Sequence, residues 1–256
     1  MDKNVKIAKE LVRIAKSLVA LDEEGDGSGF QLIHDMENSG MHPLDSKKEI
    51  DRLEREALDK AEKEGKKYIL YKKEGNLWRI RACKNFSNMK KGGLGGLIAK
   101  EENLSHEGDC WVYSDAKVSG NAAVGGDATV YGNAWVYSNA TVYGNAEVYG
   151  NAAVGGYATV SGNAWVYGNA EVYGNAKVTD DATVSGNAKV YSNAKVYGNA
   201  KVYGDRTEVG GNAEVYGNAE VGGYAKVYSN AKVYGNAWVY GNAKVDYEVR
   251  EGKITK

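Results

Sequence analysis

The chain has 256 residues, 43 % of them hydrophobic, enough to bury a sizeable core in one or two domains. Its 33 basic and 34 acidic residues nearly cancel, which excludes the basic footprint that nucleic-acid binding needs and points to no polyanionic partner. Two cysteines, Cys83 and Cys110, are too few for a disulfide framework and read as structural thiols in a reducing compartment, while 33 glycines and 19 tyrosines beside one proline mark a strong bias.

Residues 3–21 place Val5, Ala8, Leu11, Val12, Ala15, Leu18 and Val19 at helical spacing with basic residues largely opposite, which predicts an amphipathic helix. Lys3, Lys6, Lys9, Arg13 and Lys16 interrupt every apolar run there, so neither a secretory signal nor a membrane span is expected, and a soluble cytoplasmic chain is. Residues 22–45 are rich in acids, glycine and serine and read as a linker, with a short helical turn near Phe30 to Met36. Asp22, Glu24 and Asp26 in it are spaced like calcium-loop ligands, but position twelve is Ile33 where a bidentate glutamate belongs, so no metal is expected.

Residues 46–104 open with Ser46 and Glu49, a capping-box signal, followed by Ile50, Leu53, Ala57 and Ala61 on one face until Gly65 stops a second helix. The runs KYILYKK and LWRIRAC flank EGN and predict a β-hairpin from Lys67 to Cys83. The GGLGGL segment that follows lacks the spacing of a dinucleotide fingerprint and leads into no helix, so its glycines are assigned to a tight turn.

From Val112 to Val202 a valine recurs at every sixth residue; one step of seven reaches Val209, and the beat of six then resumes to Val245, giving 23 units. A fixed period marks a solenoid whose units bury their apolar faces only by stacking. In the consensus Val-Tyr-Gly-Asn-Ala-x, alternation puts valine and alanine on one side of a short strand. Gly-Asn supplies the corner, since both accept positive φ at low cost.

This hexapeptide resembles that of the left-handed parallel β-helix, in which three units close a triangular coil. The resemblance implies a mainly β fold of about 7 to 8 coils, roughly 37 Å long at about 4.8 Å per coil, preceded by a small α+β region. The lead-in, with RIRA, GGLGG, ENLS and CWVY, closely resembles that of the YdcK-type β-solenoid proteins of bacteria and phages, and the likeness runs from about Lys67 to Val245. Members of that family carry a label of putative transferase inherited from their fold. The resulting division is helix 1–21, linker 22–45, helix, hairpin and lead-in 46–104, solenoid 105–247 and tail 248–256. An open solenoid end exposes backbone and valines, so the hairpin and the final DYEVREGKITK are expected to serve as caps.

Many left-handed β-helices are acyl-CoA-dependent acyltransferases, with a histidine base in a groove between the subunits of a trimer; that likeness alone implies a homotrimer, acyl-CoA as cofactor and His106 as base. The three histidines, His34, His42 and His106, all lie outside Val112 to Val245, and no serine–histidine–acid or metal-ligand spacing can be assembled. His106 reads better as structural or exposed, and the extra corner residue around Asp205 and Arg206 as a tolerated bulge. Neither a catalytic residue nor a cofactor is therefore expected, and the acyltransferase is the alternative.

Sorted by 18, Tyr113, Tyr131, Tyr149 and Tyr167 form one vertical row beside Trp111, Thr129, Glu147, Trp165, Thr183, Lys201, Glu220 and Trp238. The aromatic face, Trp111, Tyr113, Tyr131, Tyr149, Trp165 and Tyr167, either stabilises the prism as cross-coil ladders or binds a protein or a glycan. Thr129, Thr141, Thr159 and Thr183 are scattered over two faces, unlike the long threonine array of an ice-binding surface. The segment KIAKELVRIAKSLVA resembles short N-terminal segments of tailed-phage proteins. That likeness implies a docking or packaging tag and a virion-associated location; the other readings are self-association, folding onto the solenoid end and, third, membrane-surface binding.

Overall fold

The computed structural model describes residues 44–255, with side chains from Asp51 onward. The expected N-terminal helix, most of the linker with its acid cluster, and His34 and His42 lie outside the described residues. The chain forms two compact units that meet in sequence between Glu101 and Glu102.

In the first unit, α1 (Leu44–Lys63) begins two residues before Ser46, so the capping-box serine sits in the first turn. A proline precedes Leu44 in sequence, a residue type suited to helix starts. The helix stops at Gly65, whose φ of 83° is left-handed, with bonds from Gly65 N to Glu62 O (3.0 Å) and Lys66 N to Ala61 O (2.9 Å), a Schellman closure. Its apolar side buries Leu53, Leu58 and Ala61, the last two clustered with Cys83 and Ile69.

The hairpin forms as expected: β1 (Tyr68–Glu74) runs antiparallel to β2 (Leu77–Ala82) across a Gly75-Asn76 turn. The GGLGG segment divides: Gly92, with φ of 83°, sits in the expected tight turn, closed by Gly93 N to Lys90 O at 2.8 Å, while Leu94–Ile98 is a third strand, β3, antiparallel to β2, with Gly95 and Gly96 buried in it. Side chains of β2 reach its backbone: Arg79 Nη1 donates to Gly95 O at 3.1 Å, and Arg81 Nε to Gly92 O, in the turn before it, at 3.0 Å. Arg81 also pairs with Glu54 of α1 at 2.7 Å, and Lys91 with Asp59 and Glu62, which fastens helix to sheet.

In the second unit each hexapeptide makes a strand, two residues long in nearly every case, and each strand pairs in parallel with the strand one coil away. One stack runs from Trp111–Val112 to Lys253–Thr255, a second from Lys117–Val118 to Lys244–Val245, and a third from Ala123–Val124 to Glu248–Val249. The alternation works as anticipated: the valines from Val130 to Val245 and the alanines two residues before them are fully buried. Burying one valine contributes about 1.5–3 kcal/mol, so the inner stack carries most of the stability. Backbone bonds tie each coil to the next, as from Trp135 N to Ala152 O and Tyr137 N to Val154 O, both 2.9 Å.

The extra residue near Asp205 leaves this scheme intact. Thr207 takes the inward place of an alanine, and its buried hydroxyl donates to Tyr203 O at 2.6 Å, with Gly223 O at 3.2 Å. Past Val245 the tail continues the coil: Glu248–Val249 pairs with Lys232–Val233 and Lys253–Thr255 with Trp238–Tyr240. Among the described residues no helix is long and apolar enough to cross a membrane.

Candidate functional site: the outer faces of the solenoid

With valine and alanine pointing in, the residues on either side of each valine point out and stack at the coil spacing. Tyr131, Tyr149 and Tyr167 stack with centroids 4.7 and 4.8 Å apart and planes within 4°. Tyr197, Tyr216 and Tyr234 do the same on another face at 4.8 and 4.9 Å, and Tyr173 stacks on Tyr191 at 5.5 Å. Each face thus carries its own ladder. Asparagines stack along the corners as amide ladders, for example Asn133, Asn151, Asn169 and Asn187, with Nδ2 to Oδ1 distances of 3.2, 3.0 and 2.8 Å.

Charged groups join across coils in the same way. Glu214 accepts from Lys195 Nζ at 2.9 Å and from Tyr197 Oη at 3.3 Å; Glu220 accepts from Lys201 at 3.4 Å and Tyr203 at 3.1 Å. Lys189 pairs with Glu171 and Lys226 with Glu208, both at 2.9 Å. Burial, then the neighbouring carboxylate, pushes the phenols of Tyr197 and Tyr203 up to about 12. Tyr131, which donates to Glu147 at 2.9 Å, is raised for the same reasons, and the Lys195 bond holds Glu214 below the usual carboxylate range. A phenol so shifted is a poor proton shuttle near neutral pH.

Of the residues singled out for an aromatic face, Tyr131, Tyr149 and Tyr167 come together as a ladder, Trp165 beside them is 46 % exposed, and Tyr113 is half-buried. Trp111 is different. It is fully buried and presents no ring to a ligand; it stands in the first strand of its stack, after the irregular Asn103–Cys110 stretch. His106 is half-buried in that same stretch. Cys83 and Cys110 are both buried, and burial pushes the Cys83 thiol up to about 12, far from a reactive thiolate. Among the described residues no group of three or more His, Cys, Asp or Glu side chains is arranged to hold a metal ion.

A family model described as the YdcK beta solenoid repeat matches residues 122–138, which hold three consecutive strands and so one coil. No curated protein matches the chain. The observed β-solenoid agrees with that local likeness.

Sorting by 18 picked out the Tyr131, Tyr149 and Tyr167 row but missed the ladders on the other two faces and three exposed rings. Tyr143 and Tyr157, 47 % and 68 % exposed, and Trp135, 47 % exposed, lie off the chosen face. The signal for them was in the sequence: they fall in a stretch almost without charge.

Proposed function

We propose that this protein is a non-enzymatic binding scaffold of bacterial or phage type, a left-handed β-solenoid whose N-terminal helix, residues 1–21, docks a protein partner or a second copy. The observation that carries this reading is the state of the outer faces, where polar side chains capable of chemistry are tied into ladders with one another. A surface of paired, orientation-fixed groups supports shape and contact better than proton transfer. Left-handedness follows from the hexapeptide likeness, and the helix role from the amphipathic spacing of Val5, Ala8, Leu11, Val12, Ala15, Leu18 and Val19. The aromatic residues Tyr113, Tyr131, Tyr149, Trp165 and Tyr167 belong to the scaffold first and to ligand contact second, as ladders whose outer edges remain accessible.

Deleting residues 1–21 tests the helix role. Association, read as partner recovery in a pull-down and as solution mass, is expected to vanish while the melting temperature stays within a few degrees. A large fall in melting temperature with association retained would make the segment a structural cap instead.

A further inference from the structure

The outer surface of the solenoid falls into two zones. From Ala128 to Ala170, a little over two coils, Glu147 is the only Asp, Glu, Lys, Arg or His, whereas Glu171 to Thr255 holds ten acids and ten bases. The charged zone answers itself through its Lys–Glu pairs. Both zones expose four large rings, Tyr224, Trp238, Tyr240 and Tyr247 in the charged zone and Trp135, Tyr143, Tyr157 and Trp165 in the neutral one, so charge and not ring exposure separates them.

Trp135 is held ready. Its indole Nε1 donates to Ser119 Oγ at 2.9 Å, and its ring lies 4.7 Å from that of Tyr137. Tyr137 lies across Gly155 in the next coil, where a Cβ would come within 2.2 Å of Tyr137 Cζ. The strand partner of Trp135 in that coil is Ala153, a bare methyl; in the coil before it is Lys117. Tyr157 follows Gly155 by two residues at the corner, where Asn139 of the preceding coil bonds through its N–H to Gly156 O at 2.8 Å. Gly155 is buried under the Tyr137 ring, so Trp135, Tyr137 and, past the corner, the exposed Tyr157 present their rings around the partly exposed Ala153 and Gly156.

We propose that this neutral collar binds an uncharged polysaccharide, with Trp135 and Tyr157 as its stacking rings. A sugar ring offers a C–H face that packs on an aromatic ring, and hydroxyls that bond to amides and hydroxyls without any formal charge. An anionic polymer would require a run of fixed positive charge, whereas the collar is bordered only by Lys117 beside Trp135 and by Glu171 beside Ala153. A protein hot spot sits in a desolvated pocket with a polar rim, whereas these rings stand on the flat face and convex corner of a repeating coil. A polymer of repeating neutral units matches a surface of repeating neutral groups. The inference rests on the scaffold reading of the solenoid and is independent of the N-terminal helix.

Affinity electrophoresis of the full chain in native gels cast with hydroxyethyl cellulose, dextran or galactomannan, against polygalacturonate as the anionic counterpart, tests it. Retardation is expected in at least one neutral gel, weakened about tenfold or more by Trp135→Ala and by Tyr157→Ala. Trp238→Ala, in the charged zone, is expected to bind as the unaltered chain does. Should Trp135→Ala lower the melting temperature, Tyr157→Ala at a 68 % exposed position decides alone. The proposal is overturned by no retardation in any neutral gel, by retardation in polygalacturonate only, by unchanged binding of the Trp135→Ala/Tyr157→Ala double variant, or by a drop in solution mass on Tyr157→Ala, which would make the collar a contact between copies. None of those results touches helix-mediated association, which the deletion of residues 1–21 reads separately.

Discussion

At the corners a single residue answers to two constraints. Gly150 has φ of 72°, and a Cβ on it would sit 3.0 Å from the carbonyl oxygen of Gly168 one coil on, so both conformation and stacking select glycine. Gly150→Ala is therefore expected to cost about 1 kcal/mol or more, read as a lower denaturation midpoint, the left-handed backbone supplying most of it. Ser138 already holds φ of 60° with a side chain, so Ser138→Gly is expected to leave the midpoint unchanged or raise it. The tyrosines make a second claim. Tyr197 and Tyr203 titrate near 12 in the fold, raised first by burial and then by Glu214 and Glu220, against about 10 in an unfolded chain. Their contribution is complete below about pH 10 and is lost as pH rises through 12; Lys189 and Lys226, raised by their glutamate bonds, act in the same direction. Denaturation midpoints measured from pH 8 to 12 should hold to about pH 10 and then fall steeply, less so in Tyr197→Phe/Tyr203→Phe. A midpoint flat to pH 12 would contradict the ladder picture.

At the scale of elements, the hexapeptide was legible because its valine and alanine positions never conflict with the pleat, and the hairpin because Gly75-Asn76 fits its two-residue turn. Less was legible where a long side chain decides. The strand at Leu94–Ile98 pairs with β2 and receives the Arg79 side chain at Gly95 O, which no spacing of glycines announces. Nor does alternation reveal that Tyr137 lies across Gly155, or that Trp111 is buried while Trp165 in the same column is exposed. The corner at Asp205 and Arg206 illustrates tolerance. Thr207 occupies an alanine site and its hydroxyl finds two carbonyls, so deleting Arg206 together with Thr207→Ala restores the regular unit. That variant is expected to fold with a melting temperature at or above that of the unaltered chain; loss of the cooperative transition would show that the insertion is required.

At the scale of the molecule, a solenoid gains stability coil by coil from nearest neighbours, and its uniformity leaves function to the outside. The two-zone outer surface, neutral from Ala128 to Ala170 and charge-balanced beyond, was written in the sequence as a gap in Asp, Glu, Lys and Arg, although a search by period passes over it because the period is undisturbed. The claim with most consequence is that this surface binds and does not catalyse. The direct measurement is release of coenzyme A from acetyl-CoA by the purified full chain in the presence of amine and hydroxyl acceptors, run in parallel with His106→Ala. The account predicts release at the no-protein background for both proteins; sustained turnover by the unaltered chain that disappears in His106→Ala would contradict it.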